Sequence, residues 1–173
     1  ITSDTYTAMC QNFYTMKNYS REFINLCLKK NLKVCIAESC TGGLISSKLT
    51  EIENASKVFK YGIVTYSNDS KISFLKVPKR VLFNYGAVSK ETAKSMVNGL
   101  SKISKVDLYI AITGIAGPGG GSKEKPVGLV YHAFLTKKLQ EALIIKKIYS
   151  GNRSKIREKA ATFSIHKSYT LLN

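Results

Sequence analysis

Leu32-Lys33-Val34-Cys35-Ile36-Ala37, followed at once by Glu38-Ser39-Cys40-Thr41-Gly42-Gly43, is the stretch on which the reading of the fold rests. The first six residues are short, apolar and rich in β-branched side chains, which predicts a buried strand. Beyond the glycines, Leu44, Ile45, Lys48, Leu49 and Ile52 recur at helical spacing. A strand therefore runs into a helix through a small polar turn holding Ser39, Cys40 and Thr41. The first N–H groups of a helix lack partners within it and carry the positive end of its dipole, so such a turn suits a nucleophile or a phosphate. Ser39 or Thr41 could equally be a plain helix cap, with Gly42 and Gly43 easing the turn.

On the N-terminal side, residues 1–18 are polar and aromatic without a clear period, and they predict an irregular arm. From Ser20, a plausible cap, Phe23, Ile24, Cys27 and Leu28 define an amphipathic helix ending near Lys30-Asn31. On the C-terminal side, Val58 to Tyr66 reads as a second strand in which Gly62 marks a bulge. Ser67 or Asn68 then caps a short helix with Asp69 in its first turn, Lys71 near its start and Ile72 and Leu75 facing inward. Pro78 closes it, and Pro78 to Gly86 is a connection with a helical turn. Ser89 caps a longer helix whose Ala93, Met96, Val97, Leu100 and Ile103 form one apolar stripe.

Asp107 to Thr113 is a third strand, apolar on both faces, and it empties into the glycine-rich run Thr113-Gly114-Ile115-Ala116-Gly117-Pro118-Gly119-Gly120-Gly121. Val127 to Leu135 and Leu143 to Tyr149 read as a hairpin, and Asn152 caps a final helix. A strand apolar on both faces must be covered twice. This order of elements predicts an α/β protein, a three-layer α/β/α sandwich with a mixed central sheet.

At 173 residues the chain suits one domain. No apolar run approaches the ~20 residues of a membrane span, and Ile1 to Lys17 lacks the basic start and apolar middle of a secretory signal. Cys10, Cys27, Cys35 and Cys40 are irregularly spaced, which indicates neither a zinc site nor a disulfide framework, and reduced thiols point to the cytoplasm. The formal charge of +16 raises nucleic acid as a partner, but the lysines are scattered along every segment, so a solvated basic exterior is the better reading.

Ligand sites in α/β sheets form outside the carboxyl ends of strands, so the loops after Ala37, Tyr66 and Thr113 are expected to converge. None carries a dinucleotide or P-loop fingerprint. His132 reads as a packed strand residue, and His166 lies on the last helix. A serine nucleophile without a histidine needs another base, and a lysine of lowered pKa can serve; Lys71 is the candidate, with burial and the helix start lowering its pKa.

Ala37-Glu38-Ser39-Cys40-Thr41-Gly42-Gly43, Tyr66-Ser67-Asn68-x-x-Lys71, Gly86-Ala87-Val88-Ser89, and the glycine-rich run followed by Lys125-Pro126-Val127-Gly128, together resemble the CinA C-terminal domain family over roughly residues 20–170. Members of that family include nicotinamide mononucleotide deamidases, amidohydrolases that release ammonia and nicotinate mononucleotide in pyridine nucleotide recycling. The resemblance implies a single amidohydrolase domain over residues 19–173, in the stand-alone form, with no metal and no cofactor. It implies Ser39 as nucleophile, Lys71 as its base and Tyr66 assisting. Cys40, Thr41 and Gly42 would hold the oxyanion, while Thr113, Gly114, Gly117 and Arg153 would bind the nucleotide. The family commonly has Asp-Arg where this chain has Asn152-Arg153. Cys40 is a rival nucleophile, because a thiolate needs less activation. The expected partners are the small-molecule nucleotide and further copies of the chain in a homo-oligomer. The alternative is a non-catalytic nucleotide- or DNA-binding module linked to competence or DNA damage.

Overall fold

The computed structural model describes residues 18–173, so the expected arm, apart from Asn18, lies outside the described residues. The elements in order are α1 (Tyr19–Lys29), β1 (Val34–Glu38), α2 (Leu44–Thr50), a 3-10 turn (Ala55–Lys57), β2 (Phe59–Val64), α3 (Asn68–Leu75) and α4 (Lys79–Tyr85). They continue with α5 (Lys90–Ile103), β3 (Leu108–Gly114), β4 (Leu129–Thr136), β5 (Leu143–Ile148) and α6 (Arg153–Leu172).

The sheet has the order β2-β1-β3-β4-β5. β1 runs parallel to both β2 and β3, whereas β4 is antiparallel to β3 and β5 to β4, so the sheet is mixed as expected. From β1 the chain crosses to β2 by way of α2, then passes back over β1 to β3 by way of α3, α4 and α5. Crossovers between parallel strands keep one hand, so reversing direction puts the second set of helices on the opposite face. The carboxyl ends of β1, β2 and β3 therefore meet where the winding reverses, the usual place for a crevice.

Side chains alternating along each strand feed two cores. Val34 and Ile36 of β1 and Leu108, Ile110 and Ile112 of β3 pack with Phe23, Ile24, Ile45, Leu49 and Ala161 of α1, α2 and α6. Cys35, Ala37, Tyr109 and Ala111 pack on the other face with Leu75, Leu82, Met96, Val97 and Leu100 of α3, α4 and α5. All five residues of β1 are buried, which explains why Val34 to Ala37 form a continuous apolar run rather than an alternating one, with the buried carboxylate of Glu38 closing the strand.

Several local expectations shift by a few residues. Asn18 caps α1 through its side chain, not Ser20. The irregularity in β2 falls at Lys60, between the Val34–Phe59 and Cys35–Tyr61 pairs, rather than at Gly62. The connection after Pro78 is a complete short helix. Ser67, Ser89 and Asn152 cap α3, α5 and α6 as read, each accepting an N–H three residues on. No described helix is long and apolar enough to cross a membrane.

His132 faces α6 from β4 and is fully buried, with Nδ1 2.8 Å from Ser164 Oγ and Nε2 3.0 Å from the Tyr149 hydroxyl. Burial, with Lys147 nearby, pushes its pKa down to about 3. It is a packed, neutral imidazole, as its place in a strand predicts. Unfolded, it titrates near 6.5, so between those values the unfolded chain binds more protons and stability falls as pH drops. Between pH 7 and pH 3 this one group is expected to remove ~4 kcal/mol of stability. Urea titrations across that range should show a distinctly shallower acid loss for His132→Gln than for the parent.

Candidate active site

At the end of β1 the chain does not enter a helix directly. The Ser39 N–H donates to the Ile112 carbonyl across the sheet at 3.1 Å, and the Gly42 N–H turns back onto the Ser39 carbonyl at 3.0 Å. Gly42 and Gly43 take positive φ of 59° and 94°, a conformation that costs glycine least, and α2 begins only at Leu44. The N-terminus of α2 is not open to a ligand, because the Glu38 carboxylate accepts the N–H groups of Gly43, Ile45 and Ser46. Neither Ser39 nor Thr41 caps the helix. Among the described residues the N–H groups of Cys40 and Thr41 reach no acceptor in another residue. The expected trio of oxyanion donors is thus reduced to two, Gly42 having spent its N–H within the turn.

Lys71 enters from the other core. Ser67 caps α3, whose axis carries Lys71 inward so that the side chain is 1% exposed. Its Nζ lies 3.0 Å from Ser39 Oγ, 2.8 Å from the Thr65 carbonyl and 3.2 Å from the Tyr66 carbonyl. Burial pulls its pKa down from the ordinary 10.5 to about 8, with the nearby Cys40 opposing the shift. Of the two causes named from sequence, burial and the helix start, burial is the leading one.

Cys40 beside it is 6% exposed and its thiol is pushed up to about 12, chiefly by burial and also by Glu38. Such a thiol is protonated at neutral pH and a poor nucleophile.

Ser39, Cys40, Tyr66, Lys71, Thr113, Gly114 and Arg153 line one pocket of about 200 Å³ together with Ala87, Val88 and Ala116. The three expected loops do converge. Individual roles are redistributed within them. The Tyr66 ring is more than half exposed, and its hydroxyl accepts from Arg153 Nη2 at 2.8 Å rather than approaching Ser39; it is the Tyr66 carbonyl that touches Lys71. Arg153 also donates through Nη1 to the Gly117 carbonyl at 2.7 Å, tying the glycine-rich loop to the pocket rim. Gly117 itself stands behind the rim, against Val127. Thr113 donates to the Ala87 carbonyl at 2.8 Å and so fixes the opposite wall. Thr41 lies fully buried below the pocket, its carbonyl accepting from Arg157 at 2.6 Å.

Sequence reasoning assigned no site role to Ala87, Val88, Ala116, Arg157 or Glu38. For Glu38 a signal existed: a carboxylate placed just before a glycine pair and a helix is well placed to receive that helix's first N–H groups. Among the described residues no group of three or more His, Cys, Asp or Glu side chains is arranged to hold a metal ion.

A mixed, doubly covered sheet with a buried serine–lysine pair outside its parallel strands defines an α/β/α protein. The family model of the CinA C-terminal domain matches residues 16–172, and the chain belongs to that family. The chain is 50% identical over 135 residues to a putative competence-damage inducible protein of Clostridioides difficile (strain 630), covering 78% of this chain and 32% of that protein. It is 48% identical over 143 residues to a protein of the same description from Thermoanaerobacter pseudethanolicus, covering 82% and 34%. The chain thus spans about a third of the length of these relatives. Among solved structures, the competence/damage inducible protein CihA from Agrobacterium tumefaciens superposes with a TM-score of 0.86 at 40% identity, over 90% of this chain and 94% of that one.

The lowered pKa of Lys71 has a thermodynamic consequence. Unfolded, the amine holds its proton up to about 10.5; folded, it releases it near 8, so the unfolded chain binds more protons between those values and stability rises with pH there. Relative to Lys71→Met, the parent is expected to gain ~2 kcal/mol between pH 7 and pH 10. Parallel denaturant titrations of the two proteins read the difference.

Proposed function

We propose that the chain is an amidohydrolase that converts nicotinamide mononucleotide and water to nicotinate mononucleotide and ammonia. The observation that carries this reading is the 3.0 Å contact between Ser39 Oγ and the buried Lys71 amine. A neutral amine has two N–H bonds and one lone pair. The two nearest carbonyls, of Thr65 and Tyr66, accept the two N–H bonds, the Ser67 carbonyl standing farther off at 3.5 Å, which leaves the lone pair for the Ser39 hydroxyl proton. Resemblance to the deamidases of the CinA C-terminal domain family supports the choice of substrate.

In this mechanism Lys71 takes the hydroxyl proton as Ser39 Oγ bonds to the carboxamide carbon, and the carbonyl oxygen becomes an oxyanion facing the N–H groups of Cys40 and Thr41. The Lys71 ammonium returns the proton to the departing nitrogen, ammonia leaves, and an ester joins Ser39 to the nicotinoyl group. Water, deprotonated by Lys71, then cleaves the ester, and Ser39 recovers its proton. Arg153 and the glycine-rich loop it holds bind the ribose phosphate end. Tyr66, through its hydroxyl, orients Arg153. A protein of this basicity also attracts an anionic substrate from a distance.

Release of ammonia from nicotinamide mononucleotide by the purified chain is the decisive assay. Ser39→Ala is expected to lose several decades of turnover while folding normally, and Cys40→Ala to remain active. A dead Cys40→Ala with an active Ser39→Ala would reverse the assignment of the nucleophile.

The pH profile offers a separate check. Because the neutral amine is the working form, kcat/KM is expected to rise with pH and level off above about 8, the value to which burial lowers Lys71. Lys71→Arg, permanently charged, should be nearly inactive at every pH. Retained turnover with a raised KM would instead make Lys71 a phosphate ligand. Exhaustive chelation should leave the parent's activity intact. Salt-sensitive retention on DNA without ammonia release would favour the nucleic-acid module, the reading that the net charge of +16 keeps open.

A further inference from the structure

Glu38 is fully buried, and its hydrogen bonds reach the segments that carry both halves of the serine–lysine pair. Its Oε2 accepts from the N–H groups of Gly43 at 3.0 Å and Ile45 at 3.1 Å, and its Oε1 from the Ser46 N–H at 2.8 Å and the Ser46 hydroxyl at 2.7 Å. The carboxylate thereby pins the far end of the Ser39 turn to α2. Its main-chain carbonyl meanwhile accepts from the Thr65 N–H at 2.7 Å, and Thr65 in turn presents the carbonyl that holds Lys71 Nζ. One residue thus joins the turn that carries the hydroxyl to the segment that carries the amine's acceptor.

The edge strand is shaped around this arrangement. A Cβ at Gly62 of β2 would come 2.2 Å from Ser46 Oγ, the hydroxyl that donates to Glu38. Gly62 does not have a positive φ, so the backbone would accept alanine; what it lacks is room. The absence of a side chain there leaves space for the Ser46 hydroxyl.

We propose that Glu38, held in place by Ser46 and by the space at Gly62, is the positioning residue of this site: it fixes the Ser39 turn against Lys71 and keeps the neighbouring Cys40 shut away from reaction. The proposal rests on the Ser39–Lys71 reading of the site. A carboxylate across the start of α2 takes up the N–H groups that would otherwise favour a thiolate, and it leaves those of Cys40 and Thr41 unclaimed for the reacting oxygen. The negative charge of Glu38 acts on Cys40 in the same sense as burial, against ionisation, whereas Lys71 and Arg157 act the other way.

Cys40 reports on this turn without any substrate, and Cys27 and Cys35, both fully buried elsewhere in the fold, serve as internal controls. Iodoacetamide labelling at pH 8, mapped by peptide mass to Cys27, Cys35 and Cys40, is expected to be slow at these three in the parent. In Glu38→Gln it is expected to rise by roughly tenfold or more at Cys40 alone, as a local opening rather than a global one would give. Gly62→Ala, which drives the Ser46 hydroxyl off the carboxylate from a distance, is expected to give the same selective rise and decides the matter should Glu38→Gln fail to fold. Combining Gly62→Ala with Ser46→Ala, which removes the crowded hydroxyl, should recover part of the protection that Gly62→Ala alone loses.

Labelling of Cys40 within about twofold of the parent in the folded variants, or a rise shared equally by all three cysteines, would overturn the proposal by making Glu38 inert or merely stabilising. In the deamidation assay the same variants should lose roughly tenfold or more in kcat with KM changed less than about threefold, as expected of misplaced reacting groups. A parent that releases no ammonia but shows the selective Cys40 pattern refutes the substrate assignment and leaves the role of Glu38 standing.

Discussion

A lysine amine shut away from water beside a serine hydroxyl is the constraint to which the rest of the molecule answers. Lys71 is among the largest fully buried side chains, and its desolvation is what makes its proton mobile near neutral pH. A buried ammonium without partners is costly; here the main-chain carbonyls of Thr65, Tyr66 and, at 3.5 Å, Ser67 surround the amine together with the Ser39 hydroxyl. For that geometry to exist, the end of β1 must lie beside the end of β2, which the parallel pairing of Glu38 with Val64 provides. The crossover through α3 must then return the lysine over the same edge. The fold can thus be read as the means of bringing two short chain segments, 32 positions apart, to hydrogen-bonding distance.

The electrostatics of the turn divide labour between neighbours. Three acceptor-seeking N–H groups at the start of α2 are taken by one carboxylate, so the anion-attracting end of that helix is satisfied internally. What is left unclaimed are the main-chain N–H groups of Cys40 and Thr41, just after Ser39, at a sharp strand-to-helix turn. Cys40, though adjacent to Ser39 and a stronger nucleophile when ionised, is buried and protonated. Adjacent residues of similar chemistry are separated by environment alone.

Around the rim, charged side chains serve as struts. Arg153 spans the Tyr66 hydroxyl and the Gly117 carbonyl, and Lys125 reaches the Tyr85 carbonyl at 2.6 Å, so the glycine-rich loop is fastened to both the β2–α3 segment and the end of α4. Short side chains behind these struts allow the loops to approach: at Gly117 a Cβ would stand 2.5 Å from Val127. Much of the remaining positive charge is spread over exposed lysines of the helices, consistent with a solvated basic surface.

Local information determined a good deal. The continuous apolar runs at Val34–Ala37 and Leu108–Ile112 required a sheet covered on both faces, and the caps at Ser67, Ser89 and Asn152 were readable because the unpaired N–H groups of a helix start call for a side-chain oxygen within three residues. Ser39 and Lys71 could be named because each lies in a short motif beside a strand end. Tertiary structure alone decided the strand order, the bulge at Lys60 instead of Gly62, and the true occupant of the α2 start. It also decided that Tyr66 turns its hydroxyl to Arg153 and that Gly42 spends its N–H inside the turn. The physical reason is the same in each case: a cap or a periodic stripe is satisfied by residues a few positions away, which the sequence displays. A pKa, a free N–H group or a space the size of a methyl group depends on what lies opposite, and only the folded chain places Ser46 against Gly62 or Arg157 under Thr41.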